Sequence, residues 1–409
     1  MRYKEYTFKN SAQAYDVMLG ELVDCGNDVD SRLGKTKEIS SVINLHNPLD
    51  MVSFPFGRRF NYFGMLMESL WPLTRIDNAK LLSTWNSRLP DFADDGEHLF
   101  GAYGPRLNYF NLNTGEDNIT TIISMLSQDR FNRQAVLPII RPDDVGMQTK
   151  DFPCNLLVMF KVRPIPFGDP DEYKLHMTVV NRSNDIHWGL MAVNFPQFAM
   201  LQNYIAHSIG VQVGEQTHVS DSLHLYLESE PHKIITERMS SADMRGRYFN
   251  FRNIQPRVDP FEIFPEDGHT ENYIERILTS IVDGTEFDCS GLSTFLRSVG
   301  GILSVYPLVK EDRFKAVVAL RQSMMDWLNN GRDRNSDDDE LALSAIPVEW
   351  LFGAYATIVQ GAPKKNRKTL ALQARDEFMM TLEAIDSIMK TAYVDDTTYY
   401  TMLDFLEEG

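Results

Sequence analysis

Four short stretches in the middle of the chain carry side chains suited to covalent chemistry on a polar, anionic ligand. Cys154 follows Pro153 and opens the apolar run Leu156-Leu157-Val158-Met159-Phe160. That run is short, preceded by proline and rich in branched and aromatic residues, so it reads as a buried strand with the thiol at its mouth. A second strand pattern, Lys174 to Val180, delivers the polar cluster Asn181-Arg182-Ser183-Asn184-Asp185. Between Gly189 and Gly210, Phe195, Phe198, Leu201, Ile205 and Ile209 are spaced for one helix face, with Asn194 near its start. His224-Leu225-Tyr226 alternates polar, apolar, polar, as a half-buried strand does. A thiolate is strongly nucleophilic and also leaves well. Arg182 near Cys154 is expected to lower the thiol pKa and favour that thiolate. Taken alone, a strand cysteine is more often simply buried; the ordered set argues otherwise.

In this order the pieces resemble the substrate site of the thymidylate synthase family. Its pattern is a Pro-Cys nucleophile, a Gln-Arg-Ser-x-Asp stretch, a Gly with a helix-borne Asn, and then His-x-Tyr. This chain has Pro153-Cys154, Arg182-Ser183-Asn184-Asp185, Gly189, Asn194 and His224-Leu225-Tyr226. Upstream, Ser31-Arg32-Leu33-Gly34-Lys35-Thr36 resembles the family's phosphate loop, and Glu68-Ser69-Leu70-Trp71 its Glu-Leu-x-Trp helix. Trp85, Phe92, Gly101-Ala102-Tyr103-Gly104 and Arg106 resemble its Trp-rich segment and Gly-Pro-x-Tyr-Gly turn, and Asp117-Asn118-Ile119 and Arg133-Gln134 two further segments. The resemblance runs over roughly residues 25 to 265.

The resemblance implies folate-dependent transfer of one carbon to C5 of dUMP, with 5,10-methylenetetrahydrofolate as co-substrate and no metal. C5 of uracil is a poor nucleophile until something adds to C6, and Cys154 would be that adduct-former. Arg32, Arg133, Arg182 and Ser183 would hold the 5′-phosphate, Arg133 reaching across a homodimer to the partner subunit's site. His224 and Tyr226 would bind the sugar 3′-hydroxyl. Asn194, with a donor and an acceptor in one rigid amide, matches the N3–H and O4 edge of uracil. Glu68 would move protons through water, its pKa raised by apolar neighbours. Asp185, Gly189, Tyr103 and Trp85 fall on the folate side, Trp85 packing on the pterin.

Departures from the pattern bear on the product. Asn155 stands where the family has a histidine beside the nucleophile, so the water network next to O4 must differ, and Asn155 joins Cys154 and Glu68 among the catalytic candidates. Asn181 replaces a glutamine, Gln134 an arginine, and one residue is inserted between Gly189 and Asn194. The family's closing apolar tail is replaced by helices and the acidic end Asp404-Phe405-Leu406-Glu407-Glu408-Gly409. Reduction of the transferred carbon requires water to stay out. These changes, and the likeness of Asn181 to Asp185 followed by Trp188-Gly189 to bacteriophage members of the family, favour 5-hydroxymethyl-dUMP. Thymidylate synthesis, giving dTMP and dihydrofolate, is the alternative. A catalytically silent nucleotide-binding or scaffold protein is the second alternative.

The elements needed to position these groups predict an α+β fold: a thymidylate synthase-like mixed sheet with flanking helices over residues 1–265, and an all-helical C-terminal extension over 266–409. Helices are expected at Ser11 to Val23, residues 62–71, Ile119 to Leu126, Glu271 to Ile281, Phe314 to Asn329, Val348 to Val359, Thr369 to Tyr393 and Thr397 to Glu407. Ile234 to Phe264 is expected to complete the sheet, and Asn330 to Glu340 to form a charged loop. At 409 residues with 43% apolar and 24% charged content, the chain can bury a full core. A net charge of -17 argues against direct nucleic-acid binding. The 3 dispersed cysteines suit neither a disulfide framework nor a zinc motif. With no membrane-length apolar run and no signal-like start, the expected location is cytoplasmic, the host's if the gene is a phage's.

Overall fold

The computed structural model describes residues 4–8, 11–52, 54, 59–112, 114–166, 168–169, 171–229, 232–233, 270–287, 289, 292–329, 348–389 and 402–407. In chain order the first part contains β1 (Lys4–Thr7), α1 (Ser11–Cys25), β2 (Asn27–Ser31), β3 (Gly34–His46), α2 (Tyr62–Leu70), α3 (Ala79–Leu82), α4 (Leu89–Phe92), α5 (Tyr103–Leu107), β4 (Phe110–Asn111), β5 (Glu116–Asp117) and α6 (Asn118–Gln128). It continues with β6 (Val136–Pro138), β7 (Asn155–Pro164), β8 (Tyr173–Asn181), β9 (Asn184–Asp185), a π-helix (Ile186–Asn194), α7 (Phe195–Ser208) and β10 (Gln212–Tyr226). The expected strand at Ile234 to Phe264 and the charged loop at Asn330 to Glu340 lie outside the described residues.

Hydrogen bonding orders the main sheet β1-β3-β10-β8-β7-β6, with β2 paired to β3 and β9 to β10. β1 with β3 and β8 with β10 are parallel, whereas β3 with β10, β7 with β8 and β6 with β7 are antiparallel. Alternation assigns the faces: Val158, Phe160 and Val162 of β7 and Leu175, Met177 and Val179 of β8 are fully buried, while their neighbours Met159, Thr178 and Val180 are only half-buried. Phe195, Phe198, Leu201 and Ile205 of α7 are completely buried, and α7 packs across β8 and β10. The expected alternation at His224 to Tyr226 fails locally. Leu223, His224 and Leu225 are all buried, because β9 pairs with this end of β10 and covers it.

The same buried face carries a polar stripe. Asn155, Asn181, Gln216, His218 and Asn44 are 0% exposed and His46 is 3% exposed. No apolar run could announce β3 or the length of β10, since these polar residues occupy the inward positions where sequence reading looks for branched aliphatics.

The chain separates into two compact units without a single cut. The first is Met1–Ser53, Glu68–Ser83 and Ser87–Ser241; the second is Phe54–Met67, Thr84–Asn86 and Ala242–Gly409. In the second unit, helices Thr270–Asp283, Thr294–Ser304, Tyr306–Glu311, Arg313–Asn329, Val348–Gln360 and Lys364–Met389 follow one another. Phe54 belongs there because its ring pairs with Tyr62, Phe352 and Phe405 at 5.0, 5.5 and 5.7 Å. Gly353 lies against Tyr62, whose ring would be 2.6 Å from an added Cβ, so the position tolerates no side chain. The acidic end of the chain thus contributes Met402, Phe405 and Leu406 to this core. No described helix is long and apolar enough to cross a membrane.

One buried ion pair ties the first unit's irregular segment to the sheet. Arg106 Nη1 donates to Asp144 Oδ2 at 2.6 Å and to the Ile139 carbonyl at 3.0 Å, while its Nε donates to the Phe100 carbonyl at 3.0 Å. Burial would raise the Asp144 carboxyl, but the hydrogen bonds and charges of Arg106 and Arg141 hold it below the usual range. Removing one partner strands the other as a buried charge. Arg106→Ala is expected to cost about 3–5 kcal/mol by urea unfolding; a loss below about 1 kcal/mol would mean that the segment is held by other contacts.

Candidate functional site

Strand register brings the chemistry to one end of the sheet. Cys154 directly precedes β7, whose first residue Asn155 pairs with Asn181, the last of β8. Asn181 also pairs with Ser220, from which β10 runs on to pair His224 with Asp185 of β9 and Tyr226 with Thr36 of β3. The β2–β3 turn, with Arg32 exposed and Gly34 at φ 116°, lies at the same end. That φ favours glycine.

The backbone around Cys154 is held by Arg182. Its amide donates to the Cys154 carbonyl at 2.9 Å, its Nε to the Pro153 carbonyl at 2.8 Å and one Nη to the Phe152 carbonyl at 2.9 Å. The same Nη lies 3.8 Å from the Cys154 sulfur, and the guanidinium stacks 5.1 Å over the Phe152 ring. Five contacts from one residue fix the thiol relative to the sheet end. The electrostatic outcome corrects the expectation from sequence. Burial pushes the Cys154 thiol above its ordinary value; Arg182 opposes this, and the Asp151 and Asp185 carboxylates add to the rise. Desolvation therefore outweighs the arginine, and Cys154 rests as a thiol.

Behind the thiol, Asn155 Nδ2 donates to the Tyr103 hydroxyl at 2.6 Å. Burial raises the Tyr103 phenol far above its ordinary value, with the Cys154 charge the next cause, so the phenol lies within electrostatic reach of the sulfur. Asp151, not singled out from sequence, links these loops. Its Oδ2 accepts from the Gly101 amide at 2.8 Å, and burial raises its carboxyl to about 6. Gly101 is required there, since an added Cβ would lie 2.3 Å from the Asp151 carbonyl.

Asn194 closes the π-helix. A π turn holds one residue more than an α turn, the kind of element in which an extra residue between Gly189 and Asn194 is accommodated. Asn194 Nδ2 donates to Asn184 Oδ1 at 3.2 Å, and Asn184 Nδ2 donates to Ser220 Oγ at 3.1 Å, anchoring the amide to β10. Asn194 keeps its carbonyl oxygen and a second N–H for a ligand. An added Cβ at Gly189 would lie 2.6 Å from Asn184 Oδ1, so glycine there preserves the pair. Asn184, the unspecified residue of the Arg-Ser-x-Asp stretch, is a positioning residue that the sequence motif gave no reason to choose. Asp185 Oδ1 accepts from the Trp188 amide at 2.6 Å.

Tyr226 is raised by burial, by Asp185 and by Cys154, and lowered by Arg32 and Arg182, so these five groups share one field. His224 lies edge-on to Tyr226 with ring centres 5.1 Å apart. Ser183 is half-buried between β8 and β9, and Glu68 is 7% exposed in the last turn of α2. Trp85 and Arg133 are also expected among the site residues. Trp85 is fully buried and its indole donates to the Leu303 carbonyl at 3.1 Å within the second unit, which leaves no ring face for a pterin. Arg133 is exposed before β6, beyond the Val136–Met159 pair. That pair is roughly 17 Å along β7 from Cys154, so within one chain Arg133 is not at the site. Among the described residues, no group of three or more His, Cys, Asp or Glu is arranged to hold a metal ion.

A raised thiol pKa makes reactivity pH-dependent in a definite sense. The thiolate is the reactive form, so alkylation of Cys154 by iodoacetamide, followed by peptide mass spectrometry, is expected to rise about tenfold per pH unit from pH 7 to 9. Arg182→Met is expected to slow it about tenfold at pH 8, because the opposing charge is gone. A flat pH profile would contradict the protonated resting state.

Comparison with known proteins agrees with this geometry. The family model described as thymidylate synthase matches residues 13–274. A protein named deoxyuridylate hydroxymethyltransferase from Bacillus phage SP01 is 35% identical over 241 residues, covering 56% of this chain and 61% of that protein. Proteins of the same name from Pseudomonas phage M6 and Delftia phage PhiW-14 are 37% identical over 182 residues and 31% over 183, covering 44% and 42% of this chain. The aligned stretch spans 49% and 47% of those two, so this chain matches about half to three fifths of its relatives' length. Because the family match covers more than half of the 409 residues and includes every group gathered at this end of the sheet, the chain belongs to the thymidylate synthase family.

Proposed function

We propose that this protein transfers one carbon from 5,10-methylenetetrahydrofolate to C5 of dUMP through a covalent adduct on Cys154, releasing 5-hydroxymethyl-dUMP. The observation that carries the reading is the Arg182 clamp on the segment holding Cys154, at the sheet end where Asp185, Tyr226 and Arg32 share one field with the thiol. The relatives' name supports the product. Binding of an anionic nucleotide would bring C6 to the sulfur, and Arg182 would stabilise the thiolate as it forms.

The remaining roles follow from position and chemistry. Arg32, Arg182 and Ser183 hold the phosphate, and His224 with Tyr226 takes the 3′-hydroxyl. The Asn194 carbonyl accepts from N3–H while its second N–H donates to O4. Glu68 relays protons through water. A reduced folate suits this end of the site: Asp185 offers a carboxylate to a pterin's N–H edge, with Gly189 and Tyr103 beside the same segment, and the 43%-exposed Trp188 ring offers a flat apolar surface. When bound, the folate supplies carbon at the oxidation level of formaldehyde. The half-buried sheet face that includes Met159, Thr178 and Val180 suits a homodimer, through which the exposed Arg133 reaches the partner subunit's phosphate. A reduced nucleophilic thiol fits action in the cytoplasm.

Incubation with 5-fluoro-dUMP and methylenetetrahydrofolate is expected to add both to Cys154 in the intact-mass spectrum, and Cys154→Ala to abolish the adduct. With dUMP, chromatography is expected to yield 5-hydroxymethyl-dUMP and tetrahydrofolate. No adduct would refute one-carbon transfer, and dTMP with dihydrofolate would refute the product. Asn194→Asp is expected to shift preference toward dCMP, since a carboxyl reverses the match to the base edge.

A further inference from the structure

Hydroxymethylation consumes a water molecule, and the chain must hold that water against the ring rather than admit bulk solvent. Two buried acceptors beside the thiol are placed to do so. Asn155 and Asn181 are both 0% exposed, directly paired across β7 and β8, and the Oδ1 of each is buried with no hydrogen-bond donor. Directly paired side chains on one sheet face have Cβ atoms about 5 Å apart, so the two unpartnered amides are neighbours on the buried face. Buried polar atoms of this kind are normally satisfied by ordered water. The opposite end of each amide is engaged: Asn155 Nδ2 donates to Tyr103, and Asn181 Nδ2 points to His218 Nδ1 at 3.4 Å. The Phe198 ring lies 5.8 Å from that of Tyr103 and 6.4 Å from that of His218, adding carbon to the same buried face.

We propose that Asn155 and Asn181 together hold the water that becomes the hydroxyl group of the product, an assignment that rests on the hydroxymethylation reading above. A water donating both hydrogens to two amide oxygens presents its lone pairs away from them, which is the orientation a nucleophile needs. Its oxygen bonds to the exocyclic CH2 carbon on C5, and the C5=CH2 electron pair moves into the C4 enolate. One water proton is lost to solvent. The enolate then re-forms C4=O and C5=C6, expelling the Cys154 thiolate from C6 beside Arg182. Nothing is oxidised or reduced in this step. Two neutral amides are suited to it because neither competes with the carbon for the water's lone pairs. Asn155 stands where the resembled pattern has a histidine, so the second amide of the pair is a departure of this chain.

The test separates the step from what precedes it. Tritium released from 5-tritiated dUMP reports cleavage at C5, and 5-hydroxymethyl-dUMP reports water addition. Asn181→Leu and Asn155→Leu, which keep side-chain shape but remove the acceptor, are expected to lower the ratio of product to tritium at least tenfold, with nucleotide accumulating on Cys154 in the mass spectrum. Asn155→Asp, which keeps an acceptor, is expected to retain most of the wild-type ratio. A merely structural role would lower both signals together and leave the ratio unchanged, and that result would overturn the proposal. Wild-type protein that releases no tritium would instead refute the underlying reading. As a measurement independent of turnover, a crystal structure of the ligand-free full chain is expected to show one ordered water within hydrogen-bond reach of both Oδ1 atoms. Absence of that water would overturn the assignment even if the leucine variants fail to fold.

Discussion

The site depends on one guanidinium. Arg182 stands at the end of β8 and holds the carbonyls of Phe152 and Pro153 through its side chain and that of Cys154 through its amide. The segment it grips has no ladder of its own until Asn155, so without this arginine the thiol would hang on an unpaired stretch of chain. The charge 3.8 Å from the sulfur serves a second purpose, since it opposes the burial that keeps the thiol protonated. A thiol protonated at rest is protected from casual alkylation and oxidation, which require thiolate.

The other requirements follow from sheet geometry. A parallel pair, β8 with β10, and an antiparallel pair, β7 with β8, bring two strand ends and one strand start to the same edge. The π turn and the Asn194–Asn184–Ser220 chain then fix the Asn194 amide to that edge. Rigid backbone carries each group, which is what orientation-dependent catalysis needs.

Legibility in the sequence followed the physical strength of each signal. β7 and β8 were readable because their inward positions, such as Val158, Phe160 and Met177, are apolar and alternate. β3 was not, because Asn44 and His46 sit where aliphatics were expected, and two short helices, Thr294–Ser304 and Tyr306–Glu311, follow too closely for periodicity to separate them. Cys154, Arg182 and Tyr226 were legible as an ordered motif and do converge. Trp85 was misread: an aromatic among glycines and prolines looks like a ligand wall, yet its ring fills the second unit's core. Asp151 and Asn184 were missed because their importance lies in what they hold, a Gly101 amide and the Asn194 amide, and no spacing rule encodes that. Arg182's effect on the thiol was judged by proximity alone, whereas desolvation, invisible in a sequence, decides the sign.

The buried amide pair turns a polar flaw in the core into a water-holding device, and with it the account makes the transferred carbon end as an alcohol. Turnover in water enriched in oxygen-18 measures that directly. The account predicts one heavy oxygen in the hydroxymethyl group of each product molecule, and a pyrimidine product whose added carbon carries no oxygen, or carries unlabelled oxygen, would contradict it.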